Sequence, residues 1–151
     1  MDITYYKEPW EHGVIDNFFD DNMLSHIYKT SRKFVNEFGI TIFKDKIIRD
    51  YFENKFDTKG TDCFLEFIFQ KPLGSFKIHD ENPRKKMSVV VYLEPKTSHG
   101  TSLYDSDKKF VKRIEWVKNR ALVFKGQQGI TWHSYGNPFK TPRLTINYFV
   151  V

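Results

Sequence analysis

The segment MSVVVYL, residues 87–93, decides the fold class because it is a short run of β-branched, apolar and aromatic residues. Similar runs recur from Thr61 onward, and Gly, Pro, Asn or Asp separates each run from the next. This rhythm predicts a sandwich or barrel of antiparallel strands rather than alternating strands and helices. A jelly roll, the architecture that also contains cupins, accommodates the number of runs. The other predicted strands are residues 63–69, 76–79, 101–104, 110–117, 120–124, 131–135 and 144–151.

The first third of the chain has a helical pattern. Residues 14–19 indicate a short strand that runs into a turn, and the polar residues 20–22 are candidate N-caps. The helix that they cap is predicted to start near Met23 and to end at Gly39. A second helix is predicted over residues 44–56, where apolar residues recur on one face. We expect both helices to pack on one sheet of a mostly β domain.

The composition is that of one globular domain. Hydrophobic residues make up 40% of the 151 residues and charged residues 28%, which argues against disorder. We expect a single domain over residues 1–151, with helical support over about 20–57 and a β core over about 61–151. The single cysteine, Cys63, lies in a predicted strand without a C-x-x-C context, so a packing role is favoured over a nucleophilic one.

The charge and the N-terminal sequence bear on partners and location. The formal net charge is +5, which suits an anionic ligand, but the Lys and Arg residues are scattered. A solvated surface is therefore favoured over a nucleic-acid footprint, although nucleic acid stays an alternative partner. The sequence shows no signal-peptide pattern and no apolar run of the roughly 20 residues that a membrane span needs. A soluble, cytoplasmic protein is the expectation.

The candidate metal ligands are His79, Glu81 and His133. Residues i and i+2 of a strand point to the same side, so His79 and Glu81 share a face while Asp80 points to the other. His133 lies in a later predicted strand and is the obvious third ligand. Two His and one carboxylate on one face of a metal leave positions open, as in non-haem Fe(II) oxygenases.

A second group of residues could hold a carboxylate ligand. Arg143 lies ten residues after His133, where the next antiparallel strand would bring it beside the metal site. A guanidinium inside a barrel needs a charge partner, which a bidentate carboxylate would supply. Thr145 lies on the same face of that strand, and Tyr92 could offer its phenol to the same carboxylate.

From about Phe76 onward the chain resembles the 2-oxoglutarate- and Fe(II)-dependent dioxygenases, in particular the prolyl-4-hydroxylase-like branch. The resemblance rests on the motifs HDENPRKKMSVVVYL, HGTSLY, KNRALVF and TWHSYGNPFKTPRLTINYF, and VIDNFFDDNMLSHI extends it towards the N-terminus. It implies a double-stranded β-helix, with Fe(II) on His79, the acidic residue and His133. It also implies that Arg143, with Thr145 and Tyr92, binds the far carboxylate of 2-oxoglutarate.

The same resemblance implies the reaction. With Fe(II) as the bound cofactor, 2-oxoglutarate and O₂ would be consumed in hydroxylating a substrate, with release of succinate and CO₂, and ascorbate is an expected stimulant. The branch favours a peptidyl or amino-acid side chain such as proline as the substrate, with a free small molecule as another option.

Alternatives stay open both for the metal site and for the function. The family pattern is His-x-Asp, whereas this chain has Glu81 in that place, so Asp80 could ligate through a local bulge or the site could bind iron poorly. A jelly-roll binding module without catalysis is the second reading of the function. An intact metal triad together with Arg143 and Thr145 favours the enzyme, since a binding module does not need them.

Overall fold

The computed structural model describes residues 2–81 and 84–151. The helices are α1 (Asp21–Phe34) and α2 (Lys46–Phe56). The strands are β1 (Thr4–Tyr6), β2 (His12–Ile15), β3 (Gly39–Phe43), β4 (Cys63–Gln70), β5 (Ser75–His79), β6 (Met87–Glu94), β7 (Thr101–Tyr104), β8 (Phe110–Ile114), β9 (Ala121–Phe124), β10 (His133–Gly136) and β11 (Arg143–Val150). In the described residues 2–81 and 84–151, no helix is long and apolar enough to cross a membrane.

The strands form two antiparallel sheets. The larger sheet has the order β1-β2-β9-β6-β11-β4-β3, and the smaller one has the order β5-β10-β7-β8. Every pairing described between neighbouring strands is antiparallel. The expectation of a mostly β fold with two helices is therefore confirmed.

The alternation along the central strands of the larger sheet divides its two faces. Leu65, Phe67 and Ile146 join one apolar core, into which Ile27 of α1 and Phe52 of α2 also pack. Burying one such side chain stabilises the fold by about 1.5–3 kcal/mol, so packing on this helix-covered face contributes strongly to the free energy of unfolding. The intervening residues of the same strands point to the other face, where the candidate site lies.

Helix α1 differs from its prediction at the C-terminal end. Asp20 caps the helix as expected, because its side chain accepts a hydrogen bond of 2.8 Å from the Met23 amide. The predicted end at Gly39 was wrong: the helix stops at Phe34, and Val35 has extended backbone angles. Gly39 instead opens β3, an edge strand that the sequence analysis missed.

The second helix and most strands agree with the predictions to within one or two residues. Strand β8 ends at Ile114 rather than at residue 117, and the Arg120 amide then bonds to the Val117 carbonyl in a turn. Strand β10 begins at His133 rather than at residue 131, because the Thr131 amide bonds back to the Gln127 carbonyl.

Candidate active site

Strand pairing brings the two candidate histidines together. His133 of β10 is the direct antiparallel partner of His79 at the end of β5. Their imidazole ring centroids lie 4.3 Å apart. Residues far apart in the sequence thus become adjacent because β5 and β10 are neighbours in the smaller sheet.

Each imidazole is oriented by its own strand. Nδ1 of His79 lies 2.7 Å from the Lys77 carbonyl oxygen, and Nδ1 of His133 lies 2.7 Å from the Thr131 carbonyl oxygen. A carbonyl only accepts, so each Nδ1 carries the proton and each Nε2 keeps the lone pair that a metal requires. Burial, with the nearby charge of His79, lowers the pKa of His133 to about 4. His133 is therefore neutral, the form that binds metals, down to acidic pH.

Glu81 lies just beyond β5 and reaches the same cavity. Its side chain is buried and lines the cavity together with His79 and His133. The Glu81 side chain fits here because residue 126 is a glycine. A Cβ atom on Gly126 would lie 2.6 Å from both Cβ and Cγ of Glu81. The neighbouring Asp80 is directed elsewhere and accepts a hydrogen bond of 2.7 Å from the Gly129 amide.

The Glu81 carboxylate is held by two neighbours. Ser88 donates to Oε2 over 3.1 Å, and the Lys85 ammonium lies 3.1 Å from Oε1. Among residues 2–81 and 84–151, no three His, Cys, Asp or Glu side chains converge closely enough to hold a metal ion. The chain therefore brings the three predicted ligands to one cavity, but it does not assemble them around a common point.

The cavity lies between the two sheets and has a volume of about 290 Å³. It contains charged residues and an aromatic wall, a combination that suits a small polar ligand. A larger cleft of about 540 Å³ lies elsewhere, around Asp16 and Arg120, and holds none of the predicted site residues. The smaller cavity is lined by Ile40, Glu66, Ile68, Phe76, His79, Glu81, Lys85, Val90, Thr101, Leu122, Phe124, His133, Tyr135, Asn147 and Phe149.

Arg143 is the most completely buried cation of the described residues, with 1% of its surface exposed. Its Nε donates to the His99 carbonyl over 3.1 Å, but its Nη2 has no hydrogen-bond partner among the described residues. The guanidinium carbon lies 4.8 Å from the Trp116 ring centroid and 4.9 Å from that of Tyr135. Burial lowers the pKa of Arg143, as expected for a cation without a counter-charge.

Thr145 and Tyr92 lie beside Arg143, on two adjacent strands of the larger sheet. They are direct partners in the β11–β6 pairing, and both are buried. The Tyr92 hydroxyl and the Thr101 hydroxyl are 2.7 Å apart, and Thr101 lines the cavity. Burial raises the pKa of Tyr92, so its phenol stays protonated and can donate a hydrogen bond.

Tyr135 connects the two parts of the site and was missed by the sequence analysis. Its ring centroid lies 6.2 Å from that of His79 and 4.9 Å from the guanidinium carbon of Arg143. Its position two residues after His133 in the same strand was a usable signal. Lys85, Glu66 and Asn147 of the cavity wall were also missed.

No protein-family model and no curated protein matches the sequence. Solved structures do match the fold. A Pseudomonas putida prolyl-4-hydroxylase is 15% identical with a TM-score of 0.63, and the match covers 92% of this chain and 91% of that one.

Two further structures resemble this chain to a similar degree. A 2OG-Fe(II) oxygenase family oxidoreductase from Burkholderia pseudomallei is 13% identical, with a TM-score of 0.65 and coverage of 91% and 82%. A Trichoplax adhaerens prolyl hydroxylase, solved with a peptide fragment of the hypoxia inducible factor oxygen degradation domain, is 16% identical, with a TM-score of 0.60 and coverage of 92% and 82%. At such identities the likeness shows that the chain shares their fold.

Proposed function

We propose that this protein is an Fe(II)- and 2-oxoglutarate-dependent dioxygenase with a double-stranded β-helix core. It hydroxylates a substrate and releases succinate and CO₂. The observation that carries the proposal is the buried Arg143, whose Nη2 has no partner among the described residues and which Tyr135 links to the paired histidines. A cation buried in this way is costly unless a ligand with a negative charge binds it.

The chemistry of the donor set suits Fe(II). His79 and His133 each offer Nε2, and Glu81 offers a carboxylate, which are the ligand types of a facial two-His-one-carboxylate site. A metal ion bound at Oε1 of Glu81 would compete with the Lys85 ammonium for that oxygen. Asp80 is the less suitable ligand, since it is not among the residues that line the cavity and its carboxylate is directed to the Gly129 amide.

The residues around Arg143 are suited to the far carboxylate of 2-oxoglutarate. Nη2 of Arg143 is available as a donor, and the Tyr92 hydroxyl lies in the same buried group next to Thr145. The neighbouring aromatic rings exclude water, which strengthens a charge-assisted hydrogen bond to a carboxylate. When bound, iron would supply the oxidising chemistry by using O₂ as the oxidant and 2-oxoglutarate as the cosubstrate that is oxidised to succinate and CO₂, while these residues bind and orient the cosubstrate.

For the substrate we propose only a chemical class. Two of the structures with this fold are named as prolyl hydroxylases, and one of them was solved with a peptide. A peptidyl or free amino-acid side chain is therefore the proposed substrate, and a small molecule remains the alternative. The described residues that line the cavity include one lysine and no arginine, whereas the phosphates of a nucleic acid require a cluster of cations, so a nucleic acid is not the proposed substrate.

A binding module without catalysis is the second candidate function. The observation that favours it is the contact of Lys85 with Glu81, together with the absence of three converging metal ligands among the described residues. Such a module would bind its ligand through the cavity and would not consume 2-oxoglutarate.

Turnover of 2-oxoglutarate separates the two candidates. Wild-type protein is incubated with Fe(II), ascorbate and 2-oxoglutarate, and succinate is measured by mass spectrometry with and without peptide substrates. We expect succinate from the wild type and only background from His133→Ala. Mn(II) binding to both proteins is measured in parallel. If the two proteins give the same succinate level and bind Mn(II) alike, the dioxygenase proposal fails.

A further inference from the structure

A buried pair of polar side chains on the cavity wall has no role in the proposed iron or 2-oxoglutarate sites. Glu66 of β4 and Asn147 of β11 are direct partners in the larger sheet, and Asn147 Nδ2 donates to Glu66 Oε1 over 3.1 Å. Glu66 is 8% exposed and Asn147 is 2% exposed. Both line the cavity that contains His79 and His133.

The acceptor atoms of this pair belong to side chains of the cavity wall. Asn147 Oδ1 is buried and has no hydrogen-bond partner among the described residues. Glu66 has a second carboxylate oxygen besides the one that Asn147 engages. Burial raises the pKa of the Glu66 carboxyl, so the surrounding charges do not fully offset its desolvation. A ligand group that brings N–H donors would satisfy both side chains.

The surrounding wall suits a cation. Aromatic side chains line the same cavity, and aromatic faces attract ammonium and guanidinium groups. The chain already places one ammonium there, because Lys85 Nζ lies 3.8 Å from the Phe149 ring centroid and 3.1 Å from Glu81 Oε1. A carboxylate beside an aromatic face is thus an arrangement that accommodates a primary ammonium in this protein. The aromatic residues of the wall are Phe76, Phe124, Tyr135 and Phe149.

We propose that Glu66 and Asn147 recognise a cationic N–H donor on the substrate, an ammonium or guanidinium group such as that of a lysine or arginine side chain. The proposal rests on the proposed function only in calling this ligand the substrate. A substrate of this kind differs from the proline that the names of the prolyl hydroxylases with this fold indicate. A prolyl ring within a peptide has neither a charge nor an N–H to donate.

Direct binding to small probes tests this recognition without requiring turnover. The probes are Nα-acetyl-lysine methylamide, its uncharged isostere Nα-acetyl-norleucine methylamide, and Nα-acetyl-proline methylamide. Their dissociation constants are measured by NMR titration with Zn(II) and 2-oxoglutarate present, because Zn(II) supports no oxidation and, being diamagnetic, does not broaden the signals. We expect the lysine probe to bind at least about tenfold more tightly than either uncharged probe, a factor equivalent to about 1.4 kcal/mol.

Glu66→Gln is the decisive variant, because it keeps the size of the side chain and an oxygen that can accept from Asn147. It should reduce the affinity for the lysine probe about tenfold and leave that for norleucine unchanged. Glu53→Gln is the matched control: Glu53 is also 8% exposed, but it lies on α2 and pairs with Arg49. Thermal unfolding of both variants checks that they remain folded.

Several outcomes would overturn the recognition role. They are equal binding of the lysine and norleucine probes, tightest binding of the proline probe, or an unchanged preference in Glu66→Gln. Loss of preference in Glu53→Gln as well would show a nonspecific effect and would equally count against it. If preference for lysine is found but succinate is never formed, the dioxygenase proposal fails while cation recognition stands.

Discussion

Replacing Arg143 by Met separates a ligand-binding role from a structural one. Met preserves much of the side-chain length and removes the charge. In the ligand-free protein the variant loses the hydrogen bond from Nε to the His99 carbonyl, worth about 1.5–3 kcal/mol because the donor is charged. It also removes the unsatisfied Nη2, whose burial costs about 1–3 kcal/mol. These contributions oppose each other, so the free energy of unfolding should change by no more than about 2 kcal/mol in either direction.

The affinity for 2-oxoglutarate should respond very differently. A buried carboxylate–guanidinium pair contributes about 2–5 kcal/mol when one partner is removed. The dissociation constant of 2-oxoglutarate should therefore rise by about 30-fold to more than 10³-fold. The dissociation constant of Mn(II) should stay within about threefold, since Arg143 is not among the proposed metal ligands.

Calorimetric titration of Mn(II), followed by 2-oxoglutarate, measures both constants on the same sample. Arg120→Met is the control, because Arg120 forms its ion pair with Asp16 outside the cavity. Equal losses of metal and 2-oxoglutarate affinity in Arg143→Met would refute the assigned role. A large loss of folding stability with unchanged 2-oxoglutarate affinity would show that Arg143 serves packing instead.

Three further predictions concern the metal ligands. Glu81→Gln should abolish tight Mn(II) binding in a calorimetric titration while Asp80→Asn should not, and the reverse result would move the ligand to Asp80. Gly126→Ala should destabilise the fold by about 1–3 kcal/mol in urea unfolding and weaken Mn(II) binding, because its Cβ would overlap Glu81. Gly136→Ala, whose Cβ would meet nothing closer than 3.8 Å, should leave both quantities unchanged, and equal effects of the two would contradict the assignment.

The third concerns pH and the metal-free protein. Because the pKa of His133 falls from 6.5 to about 4 on folding, the unfolded chain binds the extra proton between these values. The free energy of unfolding is therefore highest above pH 6.5, and it decreases by up to about 3 kcal/mol as the pH falls towards 4. Urea unfolding across this range should show the loss, and His133→Gln should reduce it; identical pH profiles would be inconsistent with a neutral buried His133.

The strands of the core could be predicted because burial imposes a period on their sequences. Leu65 and Phe67 alternate with residues that face the cavity, and the same alternation runs through β6 and β11. Strand β3 was not predicted, because the alternation of residue types along it does not match which of its side chains are buried. Ile40 and Ile42 are apolar but 54% and 67% exposed at the sheet edge, so the residue types do not show which side of the strand is buried.

The site was only partly predictable for a different reason. His79 and Arg143 have side chains that are unusual in a buried strand, and Glu81 lies just beyond a strand end, so their residue types were a signal. The pairing of Glu66 with Asn147 depends on which strands become neighbours and in what register, and no local pattern encodes that. Lys85 lies in a connection outside the regular strands, where strand periodicity gives no orientation at all.

The contact between Lys85 and Glu81 has a consequence for how such a site takes up metal. The carboxylate is already neutralised by an ammonium 3.1 Å away, so an arriving divalent ion would replace a charge rather than add to an uncompensated anion. Entry of a +2 ion with departure of the +1 ammonium changes the local charge by one unit instead of two. If the proposed ligands take up metal in this way, loading would be an ion exchange, and the measured affinity would report the difference between two competing cations.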